Sequence, residues 1–345
     1  MLLSRQQSQQ EVSMRVITLE EHFASSEIAG ANNAFTLPTQ SQPQELADFY
    51  ESHTAFGAEL FDIEDMRLPY MDSQNITVQV LSYTSPVSDK VPAQDAVRIC
   101  RRANDILAGH VAEHPDRFAG FATLPMSDPK AAADELERCV KELKFCGTLV
   151  AGQYQGHFYD EPQFLPVFAK AEELDVPVYF HPALINPAIQ DYYFMSPSWS
   201  VVIGGQFASA GFGWHMDVGI HVVRMILSGI FDKLPGLKII SGHWGEMVPA
   251  FLERMDYMFR PESTGLRRTI SDYYKENIYI TPSGILSAMQ LEYLVKLMGA
   301  EHILYSVDYP YMQPGNVYSF IADSNLTQSQ KELIAHGNAE RILHI

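Results

Sequence analysis

Residues 234–246 have the sequence LPGLKIISGHWGE, and this stretch contains the pattern that decides the fold. The apolar run 237–241 has the length and composition of a parallel strand that is covered on both faces. His243 and Glu246 follow directly after this run. Polar side chains at the end of a buried strand are typical of α/β enzymes, whose sites lie at the carboxyl ends of the strands.

Seven further runs of this kind alternate with longer amphipathic stretches along the chain. They cover residues 15–19, 77–83, 118–124, 147–151, 176–180, 277–281 and 303–307. Eight strands that alternate with helices predict an α/β fold, specifically a (β/α)8 TIM-type barrel. An open, doubly wound sheet is the alternative, but no G-x-G-x-x-G follows the first run.

Composition excludes several classes of protein. The 345 residues carry 24 Lys and Arg against 42 Asp and Glu, a net charge of −18 that argues against a nucleic-acid partner. No window approaches the 18 consecutive apolar residues of a membrane span. Cys100, Cys139 and Cys146 are too few and too scattered for a disulfide framework. The polar, Gln-rich residues 1–13 lack the apolar segment of a signal peptide, so we expect a disordered tail and a cytoplasmic protein.

Residues 14–345 are expected to form a single barrel domain with two long connections, at about 24–60 and 182–214. Both would leave the carboxyl ends of barrel strands, where long connections are usually functional. The second contains several aromatic residues and no Lys or Arg between Pro182 and Trp214. It could form the wall of a pocket for a flat, largely apolar ligand, or it could simply cover the surface.

Four polar residues at strand ends suggest a metal site. Glu20 and His22 follow the first run, His181 the fifth and Asp308 the eighth. Each could be structural on its own, since Asp308 could cap a helix and a lone histidine is often only hydrogen-bonded. In a barrel, however, all four would surround one mouth and offer the mixed nitrogen and oxygen ligands that Zn²⁺ or Mn²⁺ accepts. Apart from His243, the remaining histidines, including His215 and His221, are interpreted as structural.

The motifs together resemble a known family. LEEHF at 19–23, YFHP at 179–182, LPGLKIISGHWGE at 234–246 and ILYSVDYPY at 303–311 are similar to the amidohydrolase-related metal-dependent decarboxylases. Within that family they resemble most the hydroxybenzoate branch, which includes gamma-resorcylate, 2,3-dihydroxybenzoate and salicylate decarboxylases. The similarity extends from about residue 15 to residue 343. It implies an amidohydrolase-like barrel, one divalent metal (Zn²⁺ or Mn²⁺), no organic cofactor, and a homodimer or homotetramer.

The resemblance also implies roles for individual residues. Glu20, His22, His181 and Asp308 would bind the metal. His243 would lie near both metal and substrate, with Glu246 as its partner. Phe23 would pack on the substrate ring, and Arg254 would reach toward the substrate across a subunit contact.

The implied reaction is the non-oxidative, possibly reversible decarboxylation of a small ortho-hydroxybenzoate-type aromatic acid. Asp308 would protonate the ring carbon, and His243 would handle the proton of the phenol. The alternative is a hydrolase of lactones or amides, or a hydratase, in which the same ligands activate a water and Asp308 is the general base. A third possibility is a barrel that is kept as a binding or structural protein.

Overall fold

Seven parallel strands form the centre of the protein. The structure is a computed structural model that describes residues 14–33, 44–45, 48, 57–84 and 91–345. The strands are β1 (Ile17–Phe23), β2 (Val78–Tyr83), β3 (Phe118–Gly120), β4 (Thr148–Ala151), β5 (Val178–His181), β6 (Ile239–Ser241) and β7 (Ile278–Ile280). They pair in chain order, as β1-β2-β3 and as β4-β5-β6-β7. The predicted tail 1–13 and most of the connection 24–60 lie outside the described residues.

Single bridges join these two sheets, and the eighth predicted run completes the ring. Ala122 pairs with Thr148 between β3 and β4. Segment 303–307 pairs with β7 through Leu304 N–H and Ile280 O at 2.9 Å, and with β1 through Leu19 N–H and Tyr305 O at 3.0 Å. This ring of parallel strands confirms the predicted α/β fold of the (β/α)8 type.

Alternation along the strands divides the apolar side chains into two layers. One cluster fills the barrel interior and contains Ile17, Leu19, Val78, Val80, Phe121, Cys146, Tyr179, Ile240, Tyr279 and Leu304. The neighbouring strand residues, such as Val178, Phe180 and Ile239, face outward and pack under the helices. Because both faces are covered, each strand is apolar along most of its length, which is why the strands are recognisable in the sequence.

Helices surround the strands and cover the outward-facing layer. Those of seven or more residues are Ser26–Asn33, Arg67–Ser73, Ala93–Glu113, Pro129–Lys141, Leu165–Glu173, Pro187–Phe194, Val201–Ala208, Gly213–Leu227, Leu252–Met258, Ile270–Asn277 and Ala288–Met298. Shorter helices are Gly57–Phe61, Ile230–Lys233, Pro261–Thr264, Val317–Ala322, Gln328–Glu332 and Asn338–Leu343. In the described part of the chain no helix is both long and apolar enough to cross a membrane.

The second long connection, 182–214, is helical over much of its length. The helices Pro187–Phe194 and Val201–Ala208 begin at side-chain caps, because Asn186 and Ser200 each accept a hydrogen bond from a backbone N–H of the first turn. Ile185, Phe194 and Ala208 form a small apolar cluster of their own between them. This segment therefore folds as a helical cover next to the barrel mouth rather than as an unstructured loop.

Candidate metal centre

A bulge in β1 brings Glu20 into the barrel. The register between β1 and β2 shifts between Thr18 and Glu21, and Glu20 has φ 65°. Leu19 already faces the interior, so a regular strand would turn Glu20 outward. The bulge instead places Leu19, Glu20 and His22 on the same side, as bulges next to active sites commonly do.

The predicted ligands meet at this mouth. Nε2 of His22 lies 3.2 Å from Oδ1 of Asp308, and Nε2 of His181 lies 3.7 Å from Oε1 of Glu20. Ligand atoms of His22, His181 and Asp308 all lie within 4.8 Å of one another. The structure therefore brings together four residues that are up to 288 positions apart in the chain.

Several polar atoms in this group are buried and have no hydrogen-bond partner among the described residues. They are Oε1 of Glu20, both ring nitrogens of His22 and Oδ1 of Asp308. Although Nε2 of His22 and Oδ1 of Asp308 are 3.2 Å apart, they are not aligned for a hydrogen bond. Such atoms are costly to bury unless something binds them. His181 donates from Nδ1 to the carbonyl of Pro182 at 2.7 Å, which leaves its Nε2 as a metal-binding nitrogen. The donor set fits a divalent cation such as Zn²⁺ or Mn²⁺.

Burial shifts the pKa of each of these groups toward its neutral form, which suits histidine ligands, whereas a bound cation would hold the two carboxyls ionised. Burial raises the pKa of the Glu20 carboxyl to about 7 and that of Asp308 to about 7. It also lowers the pKa of His22 to about 3, with a smaller contribution from the Arg67 guanidinium. The His22 ring is therefore neutral at physiological pH, and neutral imidazole is the form that binds metals.

Because Gly242 has no side chain, there is room beside it for the carboxylate of Glu20. A Cβ at this position would lie 2.7 Å from Oγ of Ser283, 2.7 Å from the hydroxyl of Tyr179 and 3.1 Å from Oε1 of Glu20. Ser283 and Ser306 donate hydrogen bonds to the other oxygen, Oε2, and orient the carboxylate. A side chain at Gly242 would displace this arrangement.

His243 and Glu246 lie in a turn of unusual conformation beside the ligand group. All five residues from 243 to 247 have positive φ, between 46° and 81°, a region that strains non-glycine residues. The turn places Nδ1 of His243 2.8 Å from Oε1 of Glu246. Burial alone would lower the pKa of His243, but the carboxylates of Glu246 and Glu20 outweigh it and raise that pKa to about 10.

His215 also belongs to the site, although the sequence suggested a structural role. Its Nδ1 lies 2.9 Å from Oε2 of Glu246, and its ring centroid is 4.3 Å from that of His243. These three side chains satisfy one another by hydrogen bonds, unlike the unpartnered atoms of the ligand group. No local sequence signal identifies His215, because its partner is 31 residues away.

A cavity of about 1010 Å³ opens onto both groups. Its polar wall includes His181, His215, His243, Asp308 and Tyr311. Much of the rest is apolar, with Leu60, Leu124, Met126, Leu149 and Trp214 among the lining residues. Among the described residues, no Lys or Arg lines this cavity. Such a wall favours an aromatic molecule whose charged group lies beside the predicted metal-binding residues.

Some residues with expected substrate roles lie elsewhere. Phe23 is 1% exposed and packs edge-on against Tyr83, with centroids 5.6 Å apart, and it is not on the cavity wall. After the bulge the alternation of β1 points Phe23 outward, opposite to His22. Arg254 is exposed on the helix Leu252–Met258, also away from this cavity wall. Of the predicted aromatic wall only Trp214 lines the cavity, whereas Tyr192 is 82% exposed.

Comparison with known proteins gives consistent matches. The family described as Amidohydrolase matches residues 51–345. The gamma-resorcylate decarboxylase of Rhodococcus jostii is 35% identical over 95% of this chain and 98% of its own length. The decarboxylase orsB of Emericella nidulans is 37% identical over 96% of this chain and 97% of its own length. A crystal structure of a dihydroxybenzoic acid decarboxylase from Polaromonas, with manganese and the inhibitor 2-nitroresorcinol, is 33% identical and superposes with a TM-score of 0.80 over 96% of this chain and 97% of that one.

Proposed function

The chain belongs to the amidohydrolase family, and from this premise we propose that it is a metal-dependent decarboxylase of an ortho-hydroxybenzoate-type acid. The similar decarboxylases match nearly the whole chain. The observation that carries the proposal is the set of buried, unpartnered nitrogen and oxygen atoms that converge beside a largely apolar cavity.

Glu20, His22, His181 and Asp308 are proposed to hold one divalent cation, Zn²⁺ or Mn²⁺. The ligand atoms that face one another and the hydrogen bond that fixes His181 support this assignment. A cation bound there would polarise the carboxylate and phenol oxygens of the substrate and fix the orientation of the ring.

Asp308 is proposed as the acid that protonates the ring carbon. Burial raises its pKa, which favours the protonated form that can donate. It faces the cavity from the ligand group, so its proton can reach the carbon that bears the carboxylate. That carbon gains the proton, the bond to the carboxylate then breaks, and its electron pair returns to the ring as CO₂ leaves. Solvent returns the proton to Asp308.

His243 is proposed to share the proton of the ortho hydroxyl by a hydrogen bond and so to stabilise negative charge on that oxygen. Its Nδ1 is bound to Glu246, so only Nε2 remains for a substrate on the cavity side. Electron density from the phenol oxygen makes the ring carbon more basic, which helps Asp308 to protonate it. Glu246 acts through His243 by fixing its orientation.

A substrate panel tests the reaction class. Metal-loaded protein is incubated with 2,6-dihydroxybenzoate, salicylate, 3-hydroxybenzoate and a set of lactones. We expect CO₂ release from an ortho-hydroxy acid and none from 3-hydroxybenzoate, which has no hydroxyl next to the carboxylate. In D₂O the product should carry deuterium at the carbon that lost CO₂. Acid release from a lactone without CO₂ would replace the proposal with a hydrolase.

The active form is proposed to be a homo-oligomer in which Arg254 reaches the substrate of a neighbouring subunit. The helix that carries Arg254 also exposes Tyr257 (63%) and Met258 (55%), and exposed apolar groups of this kind mark protein contacts. Light scattering will give the oligomeric state. If Arg254 acts in trans, mixing subunits of Arg254→Ala with subunits of Asp308→Asn should restore activity that neither variant has alone. Activity that stays absent after confirmed subunit exchange would exclude the role in trans.

A further inference from the structure

Two histidines from different parts of the fold share the Glu246 carboxylate. Its side chain is 0% exposed. Oε1 lies 2.8 Å from Nδ1 of His243 and Oε2 lies 2.9 Å from Nδ1 of His215. An ionised carboxylate only accepts hydrogen bonds, so each histidine donates from Nδ1. Among the described residues no other side chain donates a hydrogen bond to this carboxylate.

His215 reaches Glu246 from outside the strained turn. It lies in the first turn of the helix Gly213–Leu227, which packs tightly on residues 243–247. A Cβ at Gly219 of the same helix would lie 2.5 Å from the backbone oxygen of Glu246. A turn with five positive φ values depends on its surroundings to keep its conformation. The hydrogen bond from His215 is one such contact.

We propose that His215 is a positioning residue that orients His243 through Glu246. By binding Oε2, His215 fixes the carboxylate so that Oε1 faces Nδ1 of His243. The Nδ1–H of His243 then stays directed at Oε1, and Nε2 faces the cavity. This inference rests on the proposed function, in which His243 acts on the phenol of the substrate.

The other ring nitrogen connects His215 to the cavity wall. Its Nε2 lies 3.1 Å from the indole nitrogen of Trp214 and 3.1 Å from the carbonyl oxygen of Ala210. In the neutral ring with the proton on Nδ1, Nε2 accepts from Trp214. The contact with Ala210 becomes a hydrogen bond only when the ring is doubly protonated. Trp214 and Ala210 both line the cavity, so His215 links this wall to Glu246.

Two substitutions of similar size test the role of Nδ1. The His215→Asn variant would keep a donor close to the position of Nδ1, whereas the His215→Leu variant would have none. We expect His215→Leu to lower kcat about 10- to 100-fold, the usual effect of losing such an outer partner, with KM and metal content unchanged. His215→Asn should recover most of kcat. The matched control is His114→Leu, because His114 also pairs with a glutamate, Glu64, but lies before β3 at the opposite end of the barrel.

A double variant and a spectroscopic measurement separate positioning from general damage. If His215 acts only through Glu246, His215→Leu combined with Glu246→Gln should be no slower than Glu246→Gln alone. Proton–nitrogen-15 spectra of histidine-labelled protein should show the Nδ1–H of His243 hydrogen-bonded and protected from solvent exchange in the parent and in His215→Asn, and a shifted, faster-exchanging Nδ1–H in His215→Leu. Should His215→Leu fail to fold, His215→Ala takes its place in both measurements.

The spectra do not depend on turnover, so the two proposals fail in different ways. A protein that decarboxylates no hydroxybenzoate but shows the predicted change in the Nδ1–H signal of His243 would retain the role of His215 and lose the proposed reaction. An active protein whose His215→Asn and His215→Leu variants share the same kcat and the same His243 spectrum would overturn the role of His215. Additive losses in the double variant would overturn it as well.

Discussion

Glu20 and Glu21 are consecutive, fully buried carboxylates in very different surroundings. Glu21 faces outward, where it accepts hydrogen bonds from the backbone N–H groups of Val307 (3.0 Å) and Tyr309 (3.1 Å) and from the amide of Gln79 (3.3 Å). Glu20 faces inward, and its Oε1 has no partner among the described residues. The protein therefore supplies hydrogen-bond partners for both oxygens of Glu21, but for only one oxygen of Glu20.

The difference distinguishes a structural network from a binding site. On the outward side Arg67 completes the network by donating to Gln79 at 3.1 Å and to the carbonyl of His22. Its guanidinium also lies 4.6 Å from the centre of the Tyr309 ring. Buried polar groups that are hydrogen-bonded to one another in this way support the fold, whereas buried polar atoms without partners are typical of a ligand site. The direction a residue faces from β1 therefore decides its role more than its chemical type.

The largest effect is expected on the inward side, from Asp308→Asn. The amide keeps a ligand oxygen but cannot deliver a proton, so turnover should fall about 10²- to 10⁴-fold. Metal content, measured by elemental analysis, should stay near that of the parent. Asp160→Asn is the matched control, since Asp160 pairs with Arg224 outside the cavity lining. Near-normal turnover of Asp308→Asn would remove Asp308 from the acid role.

On the outward side Arg67→Met should reduce stability rather than chemistry. It removes the buried donors to Gln79 and to the carbonyl of His22, and each buried acceptor left without a partner costs about 1–3 kcal/mol of unfolding free energy. Urea denaturation measures this loss. The exposed Arg98, whose pairing with Asp95 is largely in solvent, provides the control Arg98→Met, which should unfold like the parent. A stable Arg67→Met protein that had lost its metal would contradict the division between the two sides.

Metal titration compares the two glutamates directly. Saturating metal at about 100 times its Kd should stabilise the parent by about 2.7 kcal/mol, because only the folded state presents the site. Thermal unfolding with and without added Mn²⁺ measures this gain. Glu20→Gln should lose much of it, while Glu21→Gln should start from a lower midpoint and keep the gain. Equal gains in the two variants would show that Glu20 is not a ligand.

Much of the barrel and of the ligand group could be predicted because both have local signals. The strands are apolar runs since both faces are covered, and Glu20, His181 and Asp308 directly follow such runs. Segment 303–307 was also identified, although it joins the ring only through single bridges. Its apolar pattern depends on burial and not on the number of ladder hydrogen bonds.

Other features have no local signal. His215 meets Glu246 only when a helix docks on a distant turn, and Arg67 meets Gln79 only when a helix covers the outer face of the strands. The helices in 182–214 were missed because their apolar residues are shared between the cluster around Phe194 and an exposed surface, which weakens the periodicity. The bulge at Glu20 requires φ 65° at a glutamate, a conformation that the sequence does not indicate.

Phe23→Leu provides the smallest and most selective test of the same division. The resemblance assigned Phe23 to the substrate, but it faces outward like Glu21 and packs on Tyr83 in the core. Replacing it with a smaller apolar residue should cost about 1 kcal/mol of unfolding free energy and leave KM unchanged. Trp214→Leu, on the cavity wall, should instead raise KM. If Phe23→Leu raised KM without a loss of stability, β1 would present Phe23 to the substrate after all, and the inward and outward sides would not be separate.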